Sequence, residues 1–104
     1  MATNAVYTPY PGYPHSDGGK IEWVGSVTGI NYTAGTPETI EARGVGMQYI
    51  CHITGGVSVS KTYFAEGSGS GTSSGGLFWF TASSGAEATA DLSTESVVIR
   101  VIGF

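Results

Sequence analysis

The chain has 104 residues, of which 17 are glycine, and its formal net charge is −4. Charged residues make up 12% of the chain, which is half the ~25% typical of soluble domains. This length fits one domain, and the negative charge excludes a typical nucleic-acid-binding protein because four scattered cations cannot offset repulsion from phosphate. The single cysteine excludes a disulfide scaffold, while 40% hydrophobic residues suffice for a core.

The first 19 residues form a segment rich in tyrosine and proline. Proline fixes its own φ and pushes the preceding residue toward extended backbone, so residues 1–19 are predicted to form an extended arm ahead of a domain at residues 20–104. Tyrosine buries ring area while its hydroxyl takes a hydrogen bond, which favours an arm lying across a neighbouring subunit; a frayed terminus is the alternative. The candidate partner contacts are Tyr7, Pro9, Tyr10, Pro11, Tyr13 and Pro14.

Beyond the arm, short apolar alternations between glycine-rich turns predict strands, and no sustained helical stripe is present apart from a possible turn at residues 86–92. The first strand places Ile21, Trp23 and Val27 on one face. A short polar strand at residues 39–43 follows it.

The middle of the chain predicts a hairpin. Residues 47–53 alternate strongly, which puts Cys51 on the core face and His52 on the outside. Gly55 and Gly56 are a two-residue turn signal between this strand and the next. The second strand of the hairpin is predicted to bury two valines, Val57 and Val59.

The second half of the chain begins with ten Gly, Ser and Thr residues, 67–76, which predict a long and flexible hairpin loop. Residues 77–81 are apolar on both faces, as expected of a central strand covered on both sides. The last strand spans residues 96–102, where Arg100 either faces outward or pairs with a carboxylate across a subunit contact. Together these elements predict a single all-β domain, an antiparallel β-sandwich or jelly-roll-like fold.

The sequence has no recognisable spacing of catalytic or metal-binding residues. Cys51 and His52 are adjacent on a strand, so they point to opposite faces and cannot form a nucleophile–base pair. The acidic residues lie in Thr- and Ser-rich turns typical of solvated surface, and a weak calcium site at Asp91 is the alternative. We therefore predict no enzyme activity, no cofactor and no metal. The aromatic run at residues 77–80 could form a sugar-binding platform, although such a run belongs more often to the core.

Signals for secretion or membrane insertion are not recognised in the sequence. The first 13 residues lack the basic region followed by an apolar region that a secretory signal peptide has. No apolar run approaches the roughly 20 residues that cross a bilayer. We expect a protein made in a host cytoplasm that binds neither membrane nor nucleic acid.

Four stretches carry a family likeness: Gly35–Ile40, Val45–Ile50, Gly55–Val59 and Ser96–Val101. Together they resemble small all-β virion proteins of tailed bacteriophages, such as capsid decoration (cement) proteins and tail-associated sandwich modules. The resemblance implies a β-sandwich, a symmetric homo-oligomer and no enzymatic activity.

The expected function is therefore that of a virion structural protein, which decorates and stabilises a bacteriophage capsid or tail by binding its major capsid or tail protein. Two alternatives stay open. One is a carbohydrate- or receptor-binding module of a phage fibre, and the other is a self-assembling surface or filament subunit.

Overall fold

The computed structural model describes residues 3–30, 32–69 and 71–104, which form a sandwich of two β-sheets. The strands are β1 (Thr3–Asn4), β2 (Val6–Pro9), β3 (His15–Asp17), β4 (Lys20–Thr28), β5 (Glu38–Glu41), β6 (Ile50–Thr54), β7 (Tyr63–Ser68), β8 (Ser74–Thr81) and β9 (Ser96–Gly103). Sheet A has the order β1-β5-β8-β7, and sheet B has the order β2-β4-β9-β6, with β3 also paired to β4. All neighbours are antiparallel except β1, which runs parallel to β5. The predicted all-β sandwich is confirmed, and its jelly-roll variant stays a prediction.

The core lies between the sheets and is built from alternate residues of the long strands. β4 and β9 pair along their length, with Trp23 opposite Val101 and Val27 opposite Val97. These four side chains are almost fully buried, and Trp79 of β8 meets them from sheet A. Because β side chains alternate between faces, the inward positions of β4 are the ones that the sequence predicts.

The predicted arm is extended, and its described part lies on the sheets of its own chain. β1 joins sheet A beside β5, while β2 and β3 pair with the two halves of β4 in sheet B. A turn at residues 10–13, with Gly12 at a φ of 89°, separates β2 from β3. The segment thus crosses from one sheet to the other and closes one side of the sandwich. Residues 1 and 2 of the arm lie outside the described part.

The hairpin predicted at residues 55–56 is wrong, because β6 belongs to sheet B and β7 to sheet A. The chain crosses between the sheets here and closes the second side of the sandwich. A Cβ on Gly55 would overlap the backbone carbonyl of Ala65. Glycine is therefore needed here because two backbones approach closely. In a sequence, a glycine with this role has the same appearance as a glycine in a tight turn.

Three positions predicted to face the core are exposed instead: Cys51, Val57 and Val59. A β-bulge between Ile50 and His52 shifts the pairing with β9, so that Ile50 and Ile53 are buried and the thiol points outward. Beyond the crossing, Ser58 is buried and the valines on either side of it are 61% and 77% exposed. The alternation is real there, but its faces are reversed.

Half of the Gly/Ser-rich segment, residues 67–68 and 74–76, is strand. β7 runs to Ser68 and β8 begins at Ser74, so residues 69–73 make the connection, in which Ser70 lies outside the described part. The possible helical turn at residues 86–92 is also absent from the structure. Residue 87 instead extends sheet A by pairing with Phe80.

Two glycines of this segment make room for Ile53. A Cβ on Gly67 would overlap Ile53 Cγ2, and a Cβ on Gly75 would come within 2.5 Å of Ile53 Cδ1. Both glycines lie on the side of sheet A that faces the core of the sandwich. Glycine here permits dense packing between β6 and the β7–β8 hairpin, which is the opposite of a flexible loop.

We expect the Gly67→Ala substitution to lower the free energy of unfolding by about 1–3 kcal/mol, because the added methyl overpacks the core against Ile53. The Ser73→Ala substitution is the control, since Ser73 is an exposed residue of the same segment. Urea unfolding of the two variants measures the difference. Equal unfolding midpoints for both variants would mean that the segment is a loose loop.

Candidate interaction surface

The central strand of sheet A, β8, is covered on one face only. Leu77 and Trp79 are fully buried against sheet B. Phe78 and Phe80 alternate with them and lie half-buried on the outer face of the sheet. The predicted coverage of residues 77–81 on both sides is therefore wrong, because sheet A has no second layer outside it among the described residues.

A continuous apolar strip crosses this outer face. Phe64 of β7 lies directly opposite Phe80, and the two rings stack with centroids 5.3 Å apart and planes 21° apart. Val57 pairs with Phe64 on the far side and is 61% exposed. Phe78 lies two residues before Phe80 on the same face of β8. We call the four residues Val57, Phe64, Phe78 and Phe80 the phenylalanine face.

Phe64 points outward because the inward positions of β7 are occupied by small residues. Ala65 and Gly67 occupy the core side of β7, where they face Trp79 and Leu77 of β8. Alternation then sends Phe64 to the solvent side. The signal was present in the sequence as alternating large and small residues at 64–67, but the register with β8 decides which side is the core.

Acidic side chains border the phenylalanine face. Glu66 is exposed and lies directly opposite Phe78 in the register of β7 and β8. Glu87 lies opposite Phe80 on the other side of β8. The four residues of the face thus have a carboxylate at either flank.

The outer face of sheet B has a different character. Its centre holds an ion pair in which Arg100 contacts Glu22 of the neighbouring strand. Arg100 is therefore outward and is paired within its own chain. His15 and Lys20 line the same pocket as the pair, and the half-exposed Val98 lies further along the face. A second aromatic pair, Tyr49 and Phe104, is exposed at the end of β6 and β9, with ring centroids 5.5 Å apart.

Three of the predicted arm contacts lie against the sandwich of their own chain, where Tyr7 and Tyr13 are partly buried and Pro14 is exposed. Tyr7 packs edge-on against Trp23, with ring centroids 5.4 Å apart, and its burial together with the charge of Glu41 raises the pKa of its phenol. Tyr13 packs against the core, and Pro14 lies against Gly46.

The other three arm contacts, Pro9, Tyr10 and Pro11, are exposed at the turn between β2 and β3. The amide of Tyr13 donates to the carbonyl of Tyr10 across this turn. Removing residues 1–14 would therefore take β1 and β2 out of the sheets as well as any partner contact.

Two buried or half-buried carboxylates hold the β8 end of the sandwich together. Glu38 is fully buried and accepts a hydrogen bond from Trp79 Nε1 at 3.0 Å, which satisfies the indole of a core tryptophan. Glu87 accepts from the Tyr32 hydroxyl and from the Gly35 amide, which ties two loops together.

These contacts shift the titration of the groups involved. The Gly35 amide and then the Tyr32 hydroxyl stabilise the charged carboxylate, so the pKa of Glu87 lies below its ordinary value of 4.5. Burial, followed by the hydrogen bond to Glu87, raises the pKa of Tyr32. Asp91 accepts from the Ser93 amide at 2.9 Å, which lowers the pKa of Asp91 and explains its place in a local turn.

Within the described ranges, no three His, Cys, Asp or Glu side chains come close enough to hold a metal ion. In the same ranges, no helix has the length and apolar character to cross a membrane. His52 is exposed on β6, as predicted.

Comparison of the chain with protein-family models, with curated proteins and with solved structures gives no match.

We expect the Glu87→Gln substitution to destabilise the fold at neutral pH, because the amide keeps the acceptor oxygen but loses the charge. A carboxyl with a lowered folded pKa stabilises the fold above 4.5, and this contribution fades as the pH falls through the folded value. The difference in urea midpoint between wild type and variant should therefore shrink in acid. A difference that stays constant from neutral to acidic pH would contradict this assignment.

Proposed function

We propose that this chain is a non-enzymatic structural protein of a bacteriophage virion, which stabilises a capsid or tail by attaching to the major capsid or tail protein. The observation that carries the proposal is the phenylalanine face, an aromatic outer surface on one sheet of a small sandwich. Aromatic residues, phenylalanine among them, are enriched in the cores of protein–protein interfaces, where a few buried anchors carry most of the binding energy. A protein with one such face is suited to one-sided attachment to a larger surface.

The low charge of the chain supports the same proposal. Only 12% of its residues are charged, and a freely diffusing domain usually carries more to stay soluble. A surface that is covered in an assembly has less need of charge. Self-association into a homo-oligomer belongs to the proposal as well, with the exposed turn at Tyr10 as one surface available for it.

The carbohydrate-binding alternative has weaker support. A sugar stacks on the open face of an aromatic ring, whereas Phe64 and Phe80 stack on each other. Trp79 is fully buried and its indole donates to Glu38. The filament alternative is also less favoured, because residues 56–58 pair with the outer edge of β7 and so occupy one strand edge that could pair between copies.

The proposal is tested by measuring whether the protein is part of a virion. Phage particles are purified from a lysate of the host that carries the gene, and quantitative mass spectrometry compares the amounts of this chain and of the major capsid or tail protein. We expect many copies in a fixed ratio to that protein in independent preparations. Recovery of the chain only in the particle-free fraction would overturn the proposal.

A further inference from the structure

We propose that the phenylalanine face is the docking surface of this protein, and that its partner is a different protein that presents an apolar patch with a lysine or arginine positioned to meet Glu66. The inference rests on the proposed function, since it names the face and the partner chemistry of that attachment.

Glu66 is placed where docking would bury it. It lies opposite Phe78, beside the Phe64–Phe80 stack, and it makes no ion pair with any other described residue. A surface that covers these rings also removes water from the carboxylate. An unpaired carboxylate loses its hydration at a high cost in free energy, so a favourable partner must supply a cation there.

The chain's own cations do not provide that charge. Arg43 lies 3.3 Å from Glu41, and Arg100 is paired with Glu22 on the other sheet. Lys20 begins β4 in sheet B.

Lys61, the remaining cation, lies in the turn before β7. Glu66 is three residues beyond the start of β7, which corresponds to about 10 Å along an extended strand. In the described part of the chain Lys61 makes no ion pair, so Glu66 and Glu87 flank the phenylalanine face without a paired cation.

This charge pattern selects against a second copy of the chain as the occupant. Two copies joined through the same face would bring Glu66 and Glu87 of each molecule to one interface and would add no cation to its centre. Each chain already carries a net charge of −4. A partner with a basic group beside an apolar patch satisfies both features at once.

The proposal can be tested with a display library of short random peptides selected against the immobilised full-length chain. We expect the selected peptides to combine aromatic or aliphatic residues with lysine or arginine. The Phe64→Ala substitution should weaken binding by at least about tenfold, as for an aromatic anchor of an interface, whereas Val98→Ala on the outer face of sheet B should leave it unchanged. Thermal unfolding of each variant establishes that it is folded before binding is compared.

A second pair of variants tests the charge without disturbing the packing. Glu66→Gln and Thr8→Lys both raise the net charge by one, on opposite faces of the sandwich. We expect Glu66→Gln to weaken peptide binding by about threefold and to reduce its dependence on salt, and Thr8→Lys to do neither. Equal effects of the two variants, or selected peptides that are neutral or acidic, would overturn the proposal.

Sedimentation of the wild-type chain provides the remaining outcome. A dimer that Phe64→Ala dissociates would make a second copy the occupant and would contradict the proposed partner. These results are independent of the virion measurement. If the chain is absent from virions but basic apolar peptides still bind its phenylalanine face, the proposed function is wrong and the proposed docking surface stands.

Discussion

The packing of Ile53 against two glycines of sheet A decides how the rest of the molecule is arranged. Because Gly67 and Gly75 have no side chains, β6 can approach the β7–β8 hairpin closely enough to close one side of the sandwich. The inward positions of the hairpin near this contact are therefore small. Alternation then leaves Phe64 on the outside of β7, so the same constraint that closes the core also places this ring on the aromatic surface.

Some of the fold could be predicted from the sequence because it depends on local alternation. β4 and β9 are long strands with one buried face, and the inward positions Trp23 and Val27 follow directly from the period of two. The connections were harder. A glycine that allows close backbone approach, such as Gly55, has the same appearance in a sequence as a glycine that allows a turn. Only the three-dimensional neighbours distinguish the two uses.

The candidate surface was predictable only in part, for the same reason. The composition of the Tyr- and Pro-rich segment predicts an extended arm, whereas the contact between Tyr7 and Trp23, which joins the segment to β4, depends on the tertiary fold. The aromatic residues at 77–81 were assigned to a fully covered strand. Their division into buried Trp79 and outward Phe80 depends on the pairing of β8 with β7.

The central claim is that the phenylalanine rings of this face are partly exposed to solvent in the isolated protein, whereas the tryptophans form the core. A soluble paramagnetic agent, added during NMR measurements of the wild-type chain, tests it directly through the attenuation of ring proton signals. The structure predicts clearly more attenuation for the half-buried rings of Phe64, Phe78 and Phe80 than for the fully buried rings of Trp23 and Trp79. Phenylalanine signals as protected as those of the tryptophans would contradict it.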